Sequence, residues 1–185
     1  MTQWERFLST FFKWDVMIQY LPAIGRGFVV TCELAVLVVI CGISLGLILA
    51  LIRSYQIKII NYFIICLVDI LRSLPPLVLI LLFYFGLPNV GLNFSGFMVV
   101  ILVLSFVLGA FAEEIFWAGI TSIHEGQWEA SRSTGLGYSQ TLVYVILPQA
   151  IRMTIPPLTN RTIAITKNTA LGMVVGVGEI LNQAT

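Results

Sequence analysis

Charge is what this chain has least of. Only 10% of its 185 residues are Asp, Glu, Lys or Arg, where a water-soluble domain carries roughly 25%. So little charge cannot cover a water-facing surface, which excludes a soluble globular domain. Ten basic against nine acidic residues leave a net charge of +1. That excludes the basic footprint of a nucleic-acid binder. Histidine is nearly absent too: His124 stands alone, without the companions of a metal centre or a catalytic base, and fits a surface or partner contact better. Cysteine is sparse. Cys32, Cys41 and Cys66 all fall in apolar runs, with neither metal-ligand spacing nor a disulfide framework, and read as small packing or lipid-facing residues. No Gly-x-x-x-x-Gly-Lys-Ser/Thr phosphate loop occurs, so no ATPase site is expected on this chain, nor any other catalytic constellation. Asn93 and Asn160 head Asn-x-Ser/Thr triplets, a pattern too common by chance to carry weight.

What is present is apolar. Hydrophobic residues make up 58% of the chain and the mean hydropathy is +0.97. An uncharged run of about 19 residues from Leu34 to Ile52 is long enough to cross a bilayer core as a helix. With Phe28 to Glu33 it makes an expected first span over 28–52. A second span is expected over 59–87, interrupted by Asp69, Arg72 and the pair Pro75-Pro76. The turn residues of "FGLPNVGLNFSG" separate it from a third over 94–119. A fourth apolar element is expected over 151–170. Between the third and fourth lies a polar stretch, 122–150, punctuated by Gly126, Gly135 and Gly137.

Ahead of the first span, acids and bases interrupt "MTQWERFLSTFFKWDVMIQYLP" too often for a signal peptide. Trp4, Phe7, Leu8, Phe11 and Phe12 follow a helical rhythm, with Glu5, Arg6, Ser9 and Lys13 between them. Residues 1–22 therefore predict an amphipathic helix in the membrane interface, followed by a membrane domain over 23–185. Arg53 and Lys58 flank the first connection and no charge flanks the second, near Pro88. Positive residues favour the cytoplasm, which puts the N-terminus outside and the 122–150 stretch inside.

Within that stretch, "QWEASRST" reads as a short helix ended by Gly135, the residue that most readily takes the left-handed conformation of a helix end. "SQTLVYVIL" reads as a second helix with Ser139 as N-cap and Pro148 as its stop. Trp128 and Ala130 are expected to face outward, where a helix–Gly–helix suits insertion into a groove of another protein.

The stretch "EASRSTGLGYSQTLVYVILPQAI" resembles the Glu-Ala-Ala loop of permease subunits of ABC importers. The match stands on Glu129, Ala130, Ser131, Gly135, Leu147 and Pro148. "DILRSLPPLVLILLFY", "AEEIFWAGI", "LPQAIRMTIPPLTN" and "TKNTALGMVVGVGEI" resemble, in order and spacing, segments of the branch that takes up polar amino acids. The chain departs from that branch at Trp117, where an Arg is usual, and at Ser73-Leu74, where Gly-Thr is usual. The resemblance implies an all-α, polytopic integral membrane protein, a type I ABC importer permease bundle in the bacterial cytoplasmic (inner) membrane. About four spans are expected here, and the family's final span is missing from these 185 residues. It implies a separate ATPase subunit that binds ATP and Mg, a second permease subunit in a homo- or heterodimer, and an extracytoplasmic solute-binding protein. Glu129, Ala130 and Gly135 inherit the coupling role, with Trp128 and Ser131 beside them. Ala130 is then a size limit: a larger side chain would hold the helix off its partner.

Intramembrane ionisable residues are costly and point to function. Asp69 and Arg72, three apart, can pair, while Glu113 and Glu114 can face the bundle interior and Glu33 reads as interfacial. The resemblance runs the translocation path along the fourth element, through Asn160, Arg161, Lys167, Asn168 and Thr169. "NTALGMVVGVG" reads as a broken helix there, tolerable at that depth only beside a cavity or protein. Arg161 makes the path cationic, so an acidic or neutral polar amino acid is the expected cargo. A scaffold subunit of a membrane complex and a small dimeric secondary transporter are the alternatives.

Overall fold

The computed structural model of the chain describes residues 3–4, 6–7 and 14–184. Among these there is no strand; everything regular is helical. The first long helix, α1, covers Trp14–Ser54. Its 41 residues at 1.5 Å each make a rod about 60 Å long, roughly twice the hydrocarbon core. The helix passes through residue 22 without interruption, so the interfacial segment expected over 1–22 is not set off by a break in it. Trp4 and Phe7 stack with ring centroids 5.6 Å apart, as the helical rhythm implies. Leu8, Phe11 and Phe12 lie outside the described residues.

The second apolar segment is two helices, α2 (Lys58–Ser73) and α3 (Pro76–Gly86), followed by a 3-10 turn at Leu87–Val90. They meet at 102°, so 59–87 is not a straight crossing. The cause is in the sequence. Leu74 and Pro75 each precede a proline, which disfavours helical backbone, and both are extended, with ψ of 137° and 135°. Pro76 then opens α3, where its missing N–H costs nothing.

The helix α4 (Gly96–Ser122) is the centre of the bundle. Ser95 caps it, accepting from the Met98 amide at 3.3 Å. Its buried residues run from Val99 to Ile120, and α1, α2, α3 and a later helix over Leu147–Lys167 pack around it. Small residues let α1 approach closely. A Cβ placed on Gly46 would lie 2.5 Å from the Ala112 Cβ and 2.7 Å from the Gly109 carbonyl oxygen. Leu34, Val38, Ile80, Val103, Leu104 and Leu108 form the core along the N-terminal half of α4, and Ala50, Ala112, Phe116, Leu142 and Ile146 that along its C-terminal half. The cysteines are free and exposed on the outer faces.

After α4 come α5 (Glu125–Ser133) and a continuous helical run. The run starts as α6 (Tyr138–Thr141), passes through a π turn at Leu142–Ile146, continues as α7 (Leu147–Lys167) and ends in a 3-10 segment at Asn168–Val175. Two sequence-based expectations fail here. Pro148 does not stop a helix: it opens α7 just after the π turn, whose wider ring accommodates the missing donor. Ser139 is not the N-cap either; Gly137 is, with its amide donating to the Gln140 side chain at 2.9 Å. The break after Lys167 is present as expected, and Gly176 closes it at φ +75°. A last short helix, α8 (Ile180–Ala184), returns to the start of α1: a Cβ on Gly27 would meet the Ile180 backbone at 2.9 Å.

By length and apolarity, α1 (from Ile18) and α4 can cross a membrane, and α2 with α3 make a third crossing if the bent pair counts as one. The fourth element expected over 151–170 is a helix of 21 residues, long enough to cross. It does not qualify on composition, because Arg152, Asn160, Arg161 and Lys167 lie along it.

Candidate functional site

Two regions gather polar side chains: the loop over 122–150 and a cavity between α2, α4 and α7.

In the loop, α5 opens at His124, whose Nδ1 accepts the Gly126 amide at 3.0 Å. The histidine is thus a helix cap, a role its isolation in the sequence did not suggest. The helix ends at Thr134, and Gly135 follows at φ +92°, the left-handed turn expected from its position. Glu129 and Ala130 are exposed on the outer side. Ser131 is buried beneath them, donating to the Trp128 carbonyl at 3.0 Å and bonded to the Thr141 hydroxyl at 3.2 Å. Trp128 departs from expectation. It is half-buried and turned inward, stacked on Tyr138 at 5.2 Å. An indole packed on its own bundle contributes more apolar burial than one left in solvent.

The loop leans on the end of α1. The Tyr138 hydroxyl donates to the Ser54 carbonyl, and the Tyr55 hydroxyl bonds Ser139 at 3.0 Å. Burial pushes the Tyr138 phenol above its ordinary value of 10.0. One residue before Ser54, the Arg53 guanidinium reaches Glu113 on α4 with contacts of 3.0 and 3.2 Å and lies 4.7 Å over the Trp117 ring. Glu113 does face the interior, as expected, whereas Glu114, expected there too, is exposed because the next position along the helix turns about 100° away. The partner of Glu113, sixty positions back, had no sequence signal beyond sitting in the last turn of α1.

The second region is a cavity of about 430 Å³ at the α2–α3 bend, with Arg72, Pro75, Phe111, Arg161 and Asn168 in its wall. Arg72 pairs with Asp69 at 3.9 Å, as the spacing predicted, and more closely with Glu114. Both arginines use Phe111: the Arg72 guanidinium is 5.1 Å and that of Arg161 3.1 Å from its ring centre. Arg161 has no carboxylate partner among the described residues, and its buried Nε has no hydrogen bond. The five residues assigned to the path divide. Arg161 and Asn168 line the cavity, whereas Asn160 and Lys167 lie on the exposed face of α7. Thr169 is buried and donates to the Thr166 carbonyl at 2.8 Å. Phe111 is the residue the sequence reading missed. Nothing distinguishes it from the other aromatics of the chain until the fold brings two guanidiniums to its ring.

Residues 42–185 match the model of a family described as the binding-protein-dependent transport system inner membrane component. The chain belongs to that family. The permease is similar to the probable glutamine ABC transporter permease protein GlnP of Bacillus subtilis, 34% identical across 90% of this chain and 76% of that protein. It is also similar to the glutamate transport system permease protein GluC of Corynebacterium efficiens, at 37% across 85% and 75%. A crystal structure of an amino acid ABC transporter with histidines matches at a TM-score of 0.82 and 35% identity, covering 91% of this chain and 79% of that one. A structure of the MetNI methionine ABC transporter shares the fold, at a TM-score of 0.65 and 21% identity. The permease is therefore an all-α, polytopic membrane protein with the type I importer fold.

Proposed function

We propose that this permease is the transmembrane subunit of an ATP-driven importer of acidic or neutral polar amino acids in the bacterial inner membrane. It forms the translocation path and takes its motion from a separate ATPase subunit that binds ATP and Mg. A second permease subunit completes the pore, and an extracytoplasmic solute-binding protein delivers the cargo. The N-terminus is outside and the 122–150 loop inside, consistent with Arg53 and Lys58 at the same end of the bundle as that loop. No residue of this chain carries out hydrolysis in this reading.

The observation that carries the reading is the build of α5. Its outer side offers Glu129 and the small Ala130, while Ser131 and Trp128 are fixed to the bundle beneath. A short helix with a flat outer face and a rigid back transmits displacement; a solvated loop does not. The left-handed backbone at Gly135 sets where the chain turns away, and a residue with a side chain there costs about 1 kcal/mol. For cargo, the support is Arg161, a guanidinium in a cavity wall with a ring for a neighbour and no acid, suited to a carboxylate. The names of relatives, glutamine and glutamate permeases among them, agree with that chemistry.

The test is co-purification. The wild-type permease is expected to bring down a nucleotide-binding ATPase, and Gly135→Asp to release it and abolish uptake. Unchanged binding and uptake in Gly135→Asp would refute the coupling role. Competition uptake tests the cargo: lysine preferred over glutamate and glutamine would overturn it.

A further inference from the structure

We infer that Tyr138 is a positioning residue for coupling. It fastens the loop to the last turn of α1, so that displacement of α5 is delivered to α1 and, through Arg53, to α4. This rests on the coupling reading above and adds to it the route by which the loop moves the bundle.

Two observations carry it. First, Tyr138 joins two elements far apart in sequence. Its ring stacks on Trp128 of α5 and tilts against Tyr55 at 5.6 Å, and its hydroxyl donates to Ser54, 84 positions away. The Ser54 carbonyl is one of those a helix end leaves without an intrahelical partner, so the phenol supplies what the helix lacks. Second, the end of α1 is itself locked to α4. Arg53, next to Ser54, is held by the fully buried Glu113 and by the Trp117 ring. The last turn of α1 is thus joined to α4 through Glu113 and Trp117 and to the loop through Tyr138.

The experiment uses the permease purified with its ATPase and reconstituted in vesicles with the binding protein. Tyr138→Phe keeps the ring contacts and removes the hydroxyl. The ATPase is expected to remain bound, while amino acid imported per ATP hydrolysed falls about fivefold to tenfold, the factor by which one hydrogen bond shifts a two-state balance. An unchanged ratio overturns the inference. A generally destabilised permease would lose bound ATPase and transport together, leaving the ratio of import to hydrolysis in the surviving complexes unchanged, and that outcome also counts against it. The second arm reads the same joint directly. In a background carrying Cys32→Ala, Cys41→Ala and Cys66→Ala, Tyr55→Cys and Ser139→Cys are bridged by a short thiol cross-linker. A block that moves as one keeps transporting when bridged; arrest by the bridge shows that the loop slides past α1 and refutes the proposal. If no ATPase accompanies the wild-type chain, it is the coupling reading itself that fails.

Discussion

The Arg53–Glu113 pair makes a quantitative prediction, because its two halves differ in what they can do alone. The Glu113 side chain is sealed at 0% exposure and that of Arg53 is 17% exposed. At the 3.0 Å contact and an effective dielectric constant of about 20, the gross attraction is about 5 kcal/mol. Taking both ions out of water offsets most of it. Arg53→Met leaves a carboxylate inside the bundle with nothing to face, a loss of about 3–5 kcal/mol that the carboxyl limits by taking up a proton. Glu113→Gln strands the cation instead. Arg53 sits in the last turn of α1, keeps the Trp117 ring and can extend its head toward the surface, so the loss is about 1–2 kcal/mol. Replacing both, Arg53→Met with Glu113→Leu, is expected to fall within about 1 kcal/mol of the parent, since neither ion is then left behind. Thermal unfolding of the purified permease in nanodiscs reads all three. At roughly 2–4 °C per kcal/mol for a chain of this size, Arg53→Met should melt several degrees below Glu113→Gln, and the double variant near the parent. Equal losses in the two single variants, or a double variant that loses their sum, would refute the asymmetry and with it the isolation of Glu113.

Two further variants probe the packing. Gly46→Ala forces α1 away from the α4 backbone and is expected to cost about 1–3 kcal/mol; Gly25→Ala meets nothing within 4 Å and should be neutral or stabilising by up to about 1 kcal/mol, both read as melting temperature. Glu179→Ala removes the carboxylate that accepts the Leu181 and Asn182 amides, both at 2.8 Å, and loosens α8, whose Ile180 amide donates to Thr31. Losing such a cap costs about 1–2 kcal/mol, so amide exchange over 180–184 should speed up about tenfold while α4 is unaffected.

Much of the candidate site was legible, and for local reasons. The turn at Gly135 followed from the one residue type that enters left-handed backbone cheaply. The pairing of Asp69 with Arg72 followed from helical spacing alone. The errors share a different cause. Pro148 read as a stop because proline constrains the residue before it, but whether a helix ends there depends on the turn it joins, and a π turn let this one continue. Trp128 read as exposed because its neighbours are polar, until Tyr138 folded beneath it. Arg53 and Glu113, sixty positions apart, carry no pattern that links them.

The sequence by itself determined that the chain is helical and membrane-embedded. Its long uncharged runs have no water to satisfy their backbone groups in a bilayer, and only the helix satisfies them within one segment. It also determined the turn at Gly135, where glycine takes left-handed backbone cheaply, but not which prolines break a helix, since Pro156-Pro157 lie inside an unbroken α7. Which side chains meet was decided by tertiary structure alone. The ring of Phe111 under two arginines, the phenol of Tyr138 on α1 and the division of the α7 polar stripe between cavity and outer face all depend on how helices are rotated against α4. That rotation is set by the shapes of many small contacts summed over the bundle, and no local pattern of residues encodes it.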